Sequence, residues 1–134
     1  PEAVKSRLHG LVAEHDYWYS RVLGGGPEPT ETERATRSPA RHKLVHEHPG
    51  SGRKVLYLAS HIRRIVGWPD DETKDFLDEL RSIATQPHYV FAHDWSVGDV
   101  LIWDNLATMH RATPFDDQRY VRDMRRTTCR ERAV

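Results

Sequence analysis

Apolar residues recur at helical spacing in two parts of the chain, and this pattern predicts two helices. The first runs over residues 1–18, where Val4, Leu8, Leu11 and Val12 share one face with His15. The second runs over residues 70–85, where Asp70 or Asp71 can cap the start and Pro87 follows the end. Its apolar stripe consists of Phe76, Leu77, Leu80, Ile83 and Ala84.

Shorter segments with turn residues between them predict strands. Residues 42–48 and 53–58 flank the turn at Ser51-Gly52. Turns at 97–99 and 114–118 separate further strands in the second half, predicted at residues 88–95, 99–105, 107–112 and 119–128. Closely spaced strands favour a mainly β fold with flanking helices, a barrel or jelly roll rather than a βαβ arrangement.

A low-complexity segment at about residues 23–41 interrupts this pattern. It carries three glycines, three prolines and alternating charges, which cannot build a core. We expect a mobile, exposed loop, and a lid over a functional site is the alternative interpretation. The 134 residues otherwise leave room for one domain at most.

Composition excludes several classes of function. Lys+Arg and Asp+Glu number 20 each, so no net charge recruits nucleic acid or an anionic membrane. No apolar run approaches the roughly 20 residues that cross a bilayer. The single cysteine, Cys129, allows no internal disulfide, which fits a cytoplasmic protein. The sequence is compatible with a homo-oligomer.

Candidate chemistry lies between residues 93 and 128. On the predicted strands, Thr108 and His110 share one face, and Arg122 and Arg126 share another. A neutral imidazole beside two guanidiniums suits a metal with a dicarboxylate, because arginine binds carboxylates in a bidentate manner. The plain alternatives are a structural histidine and a solvated, arginine-rich edge strand.

Two weaker candidates have little support. His46 and His48 form an H-x-H pair, but the sequence places no third ligand beside them. Nothing in the sequence marks a base that would activate Cys129 as a nucleophile.

A longer motif adds specificity. The string Gly98-Asp99…Trp103-Asp104-Asn105…His110 resembles the C-terminal signature of the taurine dioxygenase / 2,4-dichlorophenoxyacetate dioxygenase family. The segments RDMRRTT at 122–128, LHGLVAEHD at 8–16 and HPGSGRKVLYL at 48–58 are also similar to that family, most closely to its 2,4-dichlorophenoxyacetate branch. The resemblance covers nearly the whole chain except the Gly/Pro-rich loop.

The resemblance implies a role for each candidate residue. His110 corresponds to the later of two iron-binding histidines, and Arg122 to the arginine that binds the distal carboxylate of 2-oxoglutarate. Arg126 would lie toward the acidic group of the substrate, while Arg119 and Arg125 remain rivals. Trp103 resembles an aromatic residue near the iron, although core packing explains it equally well. Asp104 and Asn105 are interpreted as structural residues that hold the turn before His110.

The implied enzyme is an Fe(II)- and 2-oxoglutarate-dependent dioxygenase that uses O2 to hydroxylate a small anionic substrate, such as a sulfonate or aryloxyalkanoate, with release of succinate and CO2. The family's earlier ligands form a His-x-Asp pair, yet none of the nine histidines here begins a His-x-Asp or His-x-Glu. We therefore expect residues 1–134 to be the C-terminal part of one incomplete jelly-roll domain, inactive alone. The alternative is a non-catalytic jelly-roll remnant that acts as a binding or assembly module.

Overall fold

The computed structural model describes residues 1–129. The helices and strands lie within residues 1–89, here called the body, and residues 90–129 form the C-terminal arm. In chain order the body contains α1 (Glu2–Arg7), β1 (Val12–His15), α2 (Tyr17–Leu23), α3 (Glu31–Thr36), β2 (Ala40–Lys43), β3 (Val45–Glu47), β4 (Lys54–Leu56), β5 (Ile62–Ile65), α4 (Asp70–Ala84) and a 3-10 turn (Pro87–Tyr89).

The strands form two small antiparallel sheets. β1 lies in the centre of a three-stranded sheet with β2 on one side and β5 on the other, and β3 pairs with β4 as a hairpin. Glu14 on β1 lies opposite Arg41 on β2 and Arg64 on β5. Its carboxylate accepts hydrogen bonds from both guanidiniums, at 3.3 Å from Arg41 Nε and 3.0 Å from Arg64 Nε. These bonds hold the pKa of Glu14 below its usual value, the bond from Arg64 being the largest cause.

The core lies where α4 packs on the three-stranded sheet. Thr73 also supports this contact, because its hydroxyl accepts a bond from the backbone amide of Ile65. The buried apolar side chains are Leu8, Ala13, Leu44, Leu58, Ile62, Ile65, Phe76, Leu77 and Leu80. α4 thus confirms the helix predicted over residues 70–85, although Pro69 occupies the N-cap position and no side chain caps the helix.

The single helix predicted over residues 1–18 is wrong. α1 ends at Arg7, and Gly10 adopts a φ of +75°, a left-handed conformation that turns the chain into β1. Asp16 then begins α2, since its side chain accepts bonds from the amides of Trp18 and Tyr19. The apolar residues with helical spacing over residues 1–18 therefore belong to three different elements, which are α1, a turn and the buried strand β1.

Two other predictions need correction in the body. The segment at 23–41 is largely exposed, as expected, but it contains α3, which begins with a capping box between Thr30 and Glu33. The predicted strand at 42–48 is two strands, β2 and β3, separated at the buried Leu44. β5 was not predicted, because Ile62–Ile65 contains two arginines between its buried ends.

The four strands predicted at 88–95, 99–105, 107–112 and 119–128 are not formed in the described chain. The arm contains turns but no strand between residues 90 and 129. Alternating apolar residues become a strand only when a neighbouring strand supplies hydrogen bonds, and no described segment lies beside the arm in that way. Many apolar side chains of the arm are consequently exposed, among them Val97, Val100, Ile102 and Val121.

Membrane insertion by a helix finds no support among residues 1–129, since none of the helices there is both long and apolar enough to cross a bilayer.

Candidate functional site

His110 lies in the arm, shortly after a turn at residues 104–107 that follows Trp103 and is here called the Trp-Asp-Asn turn. Its imidazole is exposed and packs against the half-buried indole of Trp103, with ring centroids 4.7 Å apart and planes tilted by 49°. The indole Nε1 donates a hydrogen bond of 2.9 Å to Asn105 Oδ1. The hydrogen bond to Asn105 thus orients the indole ring of Trp103, and the imidazole of His110 packs against this ring.

The Trp-Asp-Asn turn is built on Asp104, as the sequence predicted. Its carboxylate Oδ1 accepts a bond of 2.7 Å from the amide of Leu106, and its carbonyl oxygen accepts bonds from the amide and hydroxyl of Thr108. The amide of Leu106 is the main reason that the pKa of Asp104 is lowered, and the contact with His48 adds to it. The turn thus sets the direction of the chain shortly before His110.

His48 joins this turn to the body. Its Nε2 lies 2.7 Å from Asp104 Oδ2, although the two residues are 56 positions apart in sequence. From sequence, His48 has only the H-x-H interpretation with His46. The structure does not favour it, because the two imidazoles have different neighbours. No signal in the sequence pairs His48 with Asp104.

The two predicted site arginines, Arg122 and Arg126, lie farther along the arm and are exposed. Arg122 Nε is 3.0 Å from the sulfur of Met124, and its guanidinium carbon lies 6.0 Å from the centre of the Phe115 ring. Within residues 1–129, no hydrogen bond or ion pair connects Arg122 or Arg126 with His110. The convergence of these three residues on one cavity stays a prediction.

A cluster of aromatic rings in the body was missed by the sequence analysis. The buried His15 stacks on Tyr57 with ring centroids 5.2 Å apart, and it also contacts His42 and His61 at 5.1 and 4.9 Å. Neither ring nitrogen of His15 has a hydrogen-bond partner in the described structure. Burial lowers the pKa of His15 to about 4, with further contributions from His61 and His42. Only the high count of histidines hinted at this cluster.

The cluster adjoins the Trp-Asp-Asn turn. A cavity on this side of the body is lined by residues of β2 and the β3–β4 hairpin together with Leu106 of the turn: Arg41, His42, Lys43, His46, Tyr57 and Leu106. Among residues 1–129, no three His, Cys, Asp or Glu side chains come together in a way that could hold a metal ion. The described residues therefore do not provide a complete set of three metal ligands around His110.

Solved structures resemble this chain closely. A crystal structure described as a putative alpha-ketoglutarate dependent 2,4-D dioxygenase from Burkholderia xenovorans is 44% identical, with a TM-score of 0.76 over 80% of this chain and 42% of that one. A structure of AAD-2 in complex with Mn(II) and N-oxalylglycine is 37% identical, with a TM-score of 0.84 over 89% of this chain and 47% of that one.

Curated proteins of similar sequence include named dioxygenases and an alkylsulfatase. An alpha-ketoglutarate-dependent 2,4-dichlorophenoxyacetate dioxygenase of Burkholderia sp. (strain RASC) is 41% identical over 96% of this chain and 43% of its own length. An alkylsulfatase of Acinetobacter baylyi is 34% identical over 90% of this chain and 41% of its own length. The chain thus spans less than half the length of these relatives.

The sequence profile of the taurine catabolism dioxygenase TauD, TfdA family matches residues 1–128, so its match includes the Trp-Asp-Asn turn, His110 and both arginines. This match, together with 41% identity to a named relative over nearly the whole chain, shows that the chain belongs to the TauD/TfdA family.

Proposed function

We propose that this chain is the C-terminal part of an Fe(II)- and 2-oxoglutarate-dependent dioxygenase and supplies its later iron-binding histidine, His110. The observation that carries the proposal is the family match over residues 1–128, which includes the complete Gly98-to-His110 string. Relatives at 41% and 35% identity are named as alpha-ketoglutarate-dependent dioxygenases, which supports the same chemistry here.

The proposed fold of the whole domain is a double-stranded β-helix, or jelly roll, in which the arm supplies strands. The body makes up about two thirds of the chain, so a superposition over 89% of it necessarily includes part of the arm. A superposition of that extent supports a folded path for part of the arm in the whole domain, although the arm forms no strand here. Its exposed apolar residues are those that neighbouring strands would cover.

The imidazole of His110 is a suitable ligand for iron, but the described residues do not complete an iron site. An imidazole suits Fe(II), and enzymes of this kind hold the metal with two histidines and one carboxylate, leaving positions open for cosubstrate and oxygen. We place the other two ligands outside residues 1–129, because those residues contain no His-x-Asp and no three-residue donor group. Residues 1–134 by themselves would then be inactive.

The bound iron would supply the activation of O2 and the oxidative decarboxylation of 2-oxoglutarate to succinate and CO2. The residues of this chain would bind and orient. Trp103 would keep the His110 imidazole in place, since their rings already pack together. Arg122 would form a charge-assisted pair with the distal carboxylate of 2-oxoglutarate, with Arg119 and Arg125 as rivals.

The proposed substrate is a small organic anion, with Arg126 facing its acidic group. Relatives of this chain are named as dioxygenases for 2,4-dichlorophenoxyacetate, (S)-phenoxypropionate and a sulfate ester. All of these molecules carry an anionic group, which a guanidinium binds well. A carboxylate or sulfate substrate thus agrees with the role proposed for Arg126.

Anaerobic titration of the full-length protein with Fe(II) and 2-oxoglutarate tests the proposal. We expect a metal-to-ligand charge-transfer band that is lost in His110→Ala, because the variant lacks one of three protein ligands. The matched control is His9→Ala, which removes an exposed imidazole of the body.

Two results would contradict this assignment. If His110→Ala kept full iron affinity, the ligand would lie elsewhere. If the full-length protein bound neither Fe(II) nor 2-oxoglutarate, the non-catalytic binding module would replace the enzyme.

A further inference from the structure

We propose that His48 is a positioning residue for His110: its imidazole fixes Asp104 and thereby the turn that precedes His110. The inference rests on the proposed function for the role of His110. The hydrogen bond between His48 and Asp104, here called the clamp, is inferred only from contacts between the body and the arm.

The first observation is that the His48–Asp104 contact stands alone. Within residues 1–129, it is the only side-chain hydrogen bond between the body and the arm. The other side-chain bonds of the arm, such as His93 with Asp99, stay within the arm. Among side-chain hydrogen bonds of the described residues, this one alone fixes the Trp-Asp-Asn turn relative to the body, beside the cavity that Leu106 lines together with β2 and the hairpin.

The second observation is that the His48 ring is held from both sides. Its Nδ1 lies 3.2 Å from the backbone amide of Ser51, and an amide can only donate, so Nδ1 must accept. Nε2 consequently carries the proton and donates to Asp104 Oδ2. Gly50 leaves room for the ring, since a Cβ there would lie 3.2 Å from His48 Cε1.

The third observation is that both carboxylate oxygens of Asp104 are used for position. Oδ2 accepts from His48, and Oδ1 accepts from the amide of Leu106 inside the turn. The neighbouring Trp103 packs on His110. A continuous path of contacts thus leads from the hairpin of the body to the imidazole at position 110.

Loss of the clamp should loosen the turn without removing any metal ligand. In metal sites, residues that orient a ligand typically change metal affinity by about 10- to 100-fold. We therefore expect His48→Phe, which keeps a planar ring but cannot donate, to weaken Fe(II) binding of the full-length protein roughly 10-fold or more. His48→Gln keeps an N–H donor and should stay within about threefold of wild type.

The opposite partner gives a second, independent variant. Asp104→Asn keeps Oδ1 for the amide of Leu106 but replaces Oδ2 by an NH2 group that cannot accept from His48. It should match His48→Phe, and the double variant should be no worse than either single variant. His93→Phe is the matched control, because it removes a bond of the same kind that lies inside the arm, 2.9 Å long.

An NMR measurement separates failure of the clamp from failure of the proposed function. In wild type, we expect the nitrogen shifts of His48 to show the Nε2–H tautomer, and His48→Phe should shift the indole Nε1–H signal of Trp103 with no metal present. An unchanged Trp103 signal, or an Nδ1–H tautomer, would overturn the clamp. Shifted Trp103 signals with unchanged Fe(II) affinity, or no Fe(II) binding in wild type, would overturn the role toward His110.

Discussion

The body and the arm contain similar apolar patterns but reach different structures. Ile62 and Ile65 of the body are buried at 1% and 0% exposure, whereas Ile102 and Val121 of the arm are exposed at 88% and 96%. The difference lies in partners, since β5 pairs with β1 and packs on α4 while the described chain offers the arm no neighbouring strand. A hydrophobic pattern thus specifies which face is to be buried, and a partner decides whether burial occurs.

The largest expected contrast is a Phe→Ala substitution in each region. Phe76→Ala removes a side chain that is 2% exposed, and large-to-small core changes of this kind cost about 3–5 kcal/mol. Phe91→Ala in the arm, where the ring is 78% exposed, should change the free energy of unfolding by less than about 0.5 kcal/mol. Urea unfolding of the 134-residue chain measures both, and equal losses would contradict the division into body and arm.

The buried His15 of the body predicts that the free energy of unfolding depends on pH. Because the pKa of His15 falls to about 4 in the folded chain, the unfolded chain binds more protons between pH 4 and 6.5. Stability should rise with pH across that window, by up to about 3 kcal/mol. His15→Leu should flatten the profile, while His9→Leu, at an exposed position, should leave it unchanged; a steep profile in His15→Leu would assign the effect to other groups.

Arg122 tests the chemistry assigned to the arm. In the full-length protein, Arg122→Ala should raise the 2-oxoglutarate requirement by roughly 100-fold, because a desolvated charge-assisted pair is lost. Steady-state kinetics with Arg119→Ala and Arg125→Ala as parallel variants gives the measurement. A normal requirement in Arg122→Ala would transfer the role to whichever rival shows the large effect.

The ion pairs of β1 predict a smaller effect in the body. Glu14→Gln weakens the bonds to Arg41 and Arg64 and should cost about 1–2 kcal/mol, since both guanidiniums are half-exposed. The pKa of the Glu14 carboxyl is lowered in the folded chain. The stabilisation is therefore present above the ordinary glutamate pKa and is lost as the pH falls through the pKa of Glu14 in the folded chain. Glu28→Gln is the control, because its partner Arg34 is at the surface, and it should have little effect. Thermal melts of both variants measure the difference. Equal losses would show that β1 does not depend on Glu14.

The sequence predicted those features that depend on neighbours along the chain. α4 was predicted because its apolar stripe is long, and the turn at Asp104 because an aspartate bonds to amides two residues ahead. The helix over residues 1–18 is predicted in spite of Gly10, which weakens a helix, because the apolar spacing on either side fits a continuous one. The His15 cluster and the His48–Asp104 bond could not be predicted, since both join residues far apart in sequence.

The most direct test of the central claim is a structure of the full-length protein with Mn(II) and N-oxalylglycine, a metal and a 2-oxoglutarate analogue that AAD-2 binds in its own crystal structure. We predict that His110 ligates the metal, that Arg122 pairs with the distal carboxylate of the analogue, and that the arm forms strands with neighbouring segments. A structure in which His110 and Arg122 face separate surroundings, with the metal held by other residues, would contradict it.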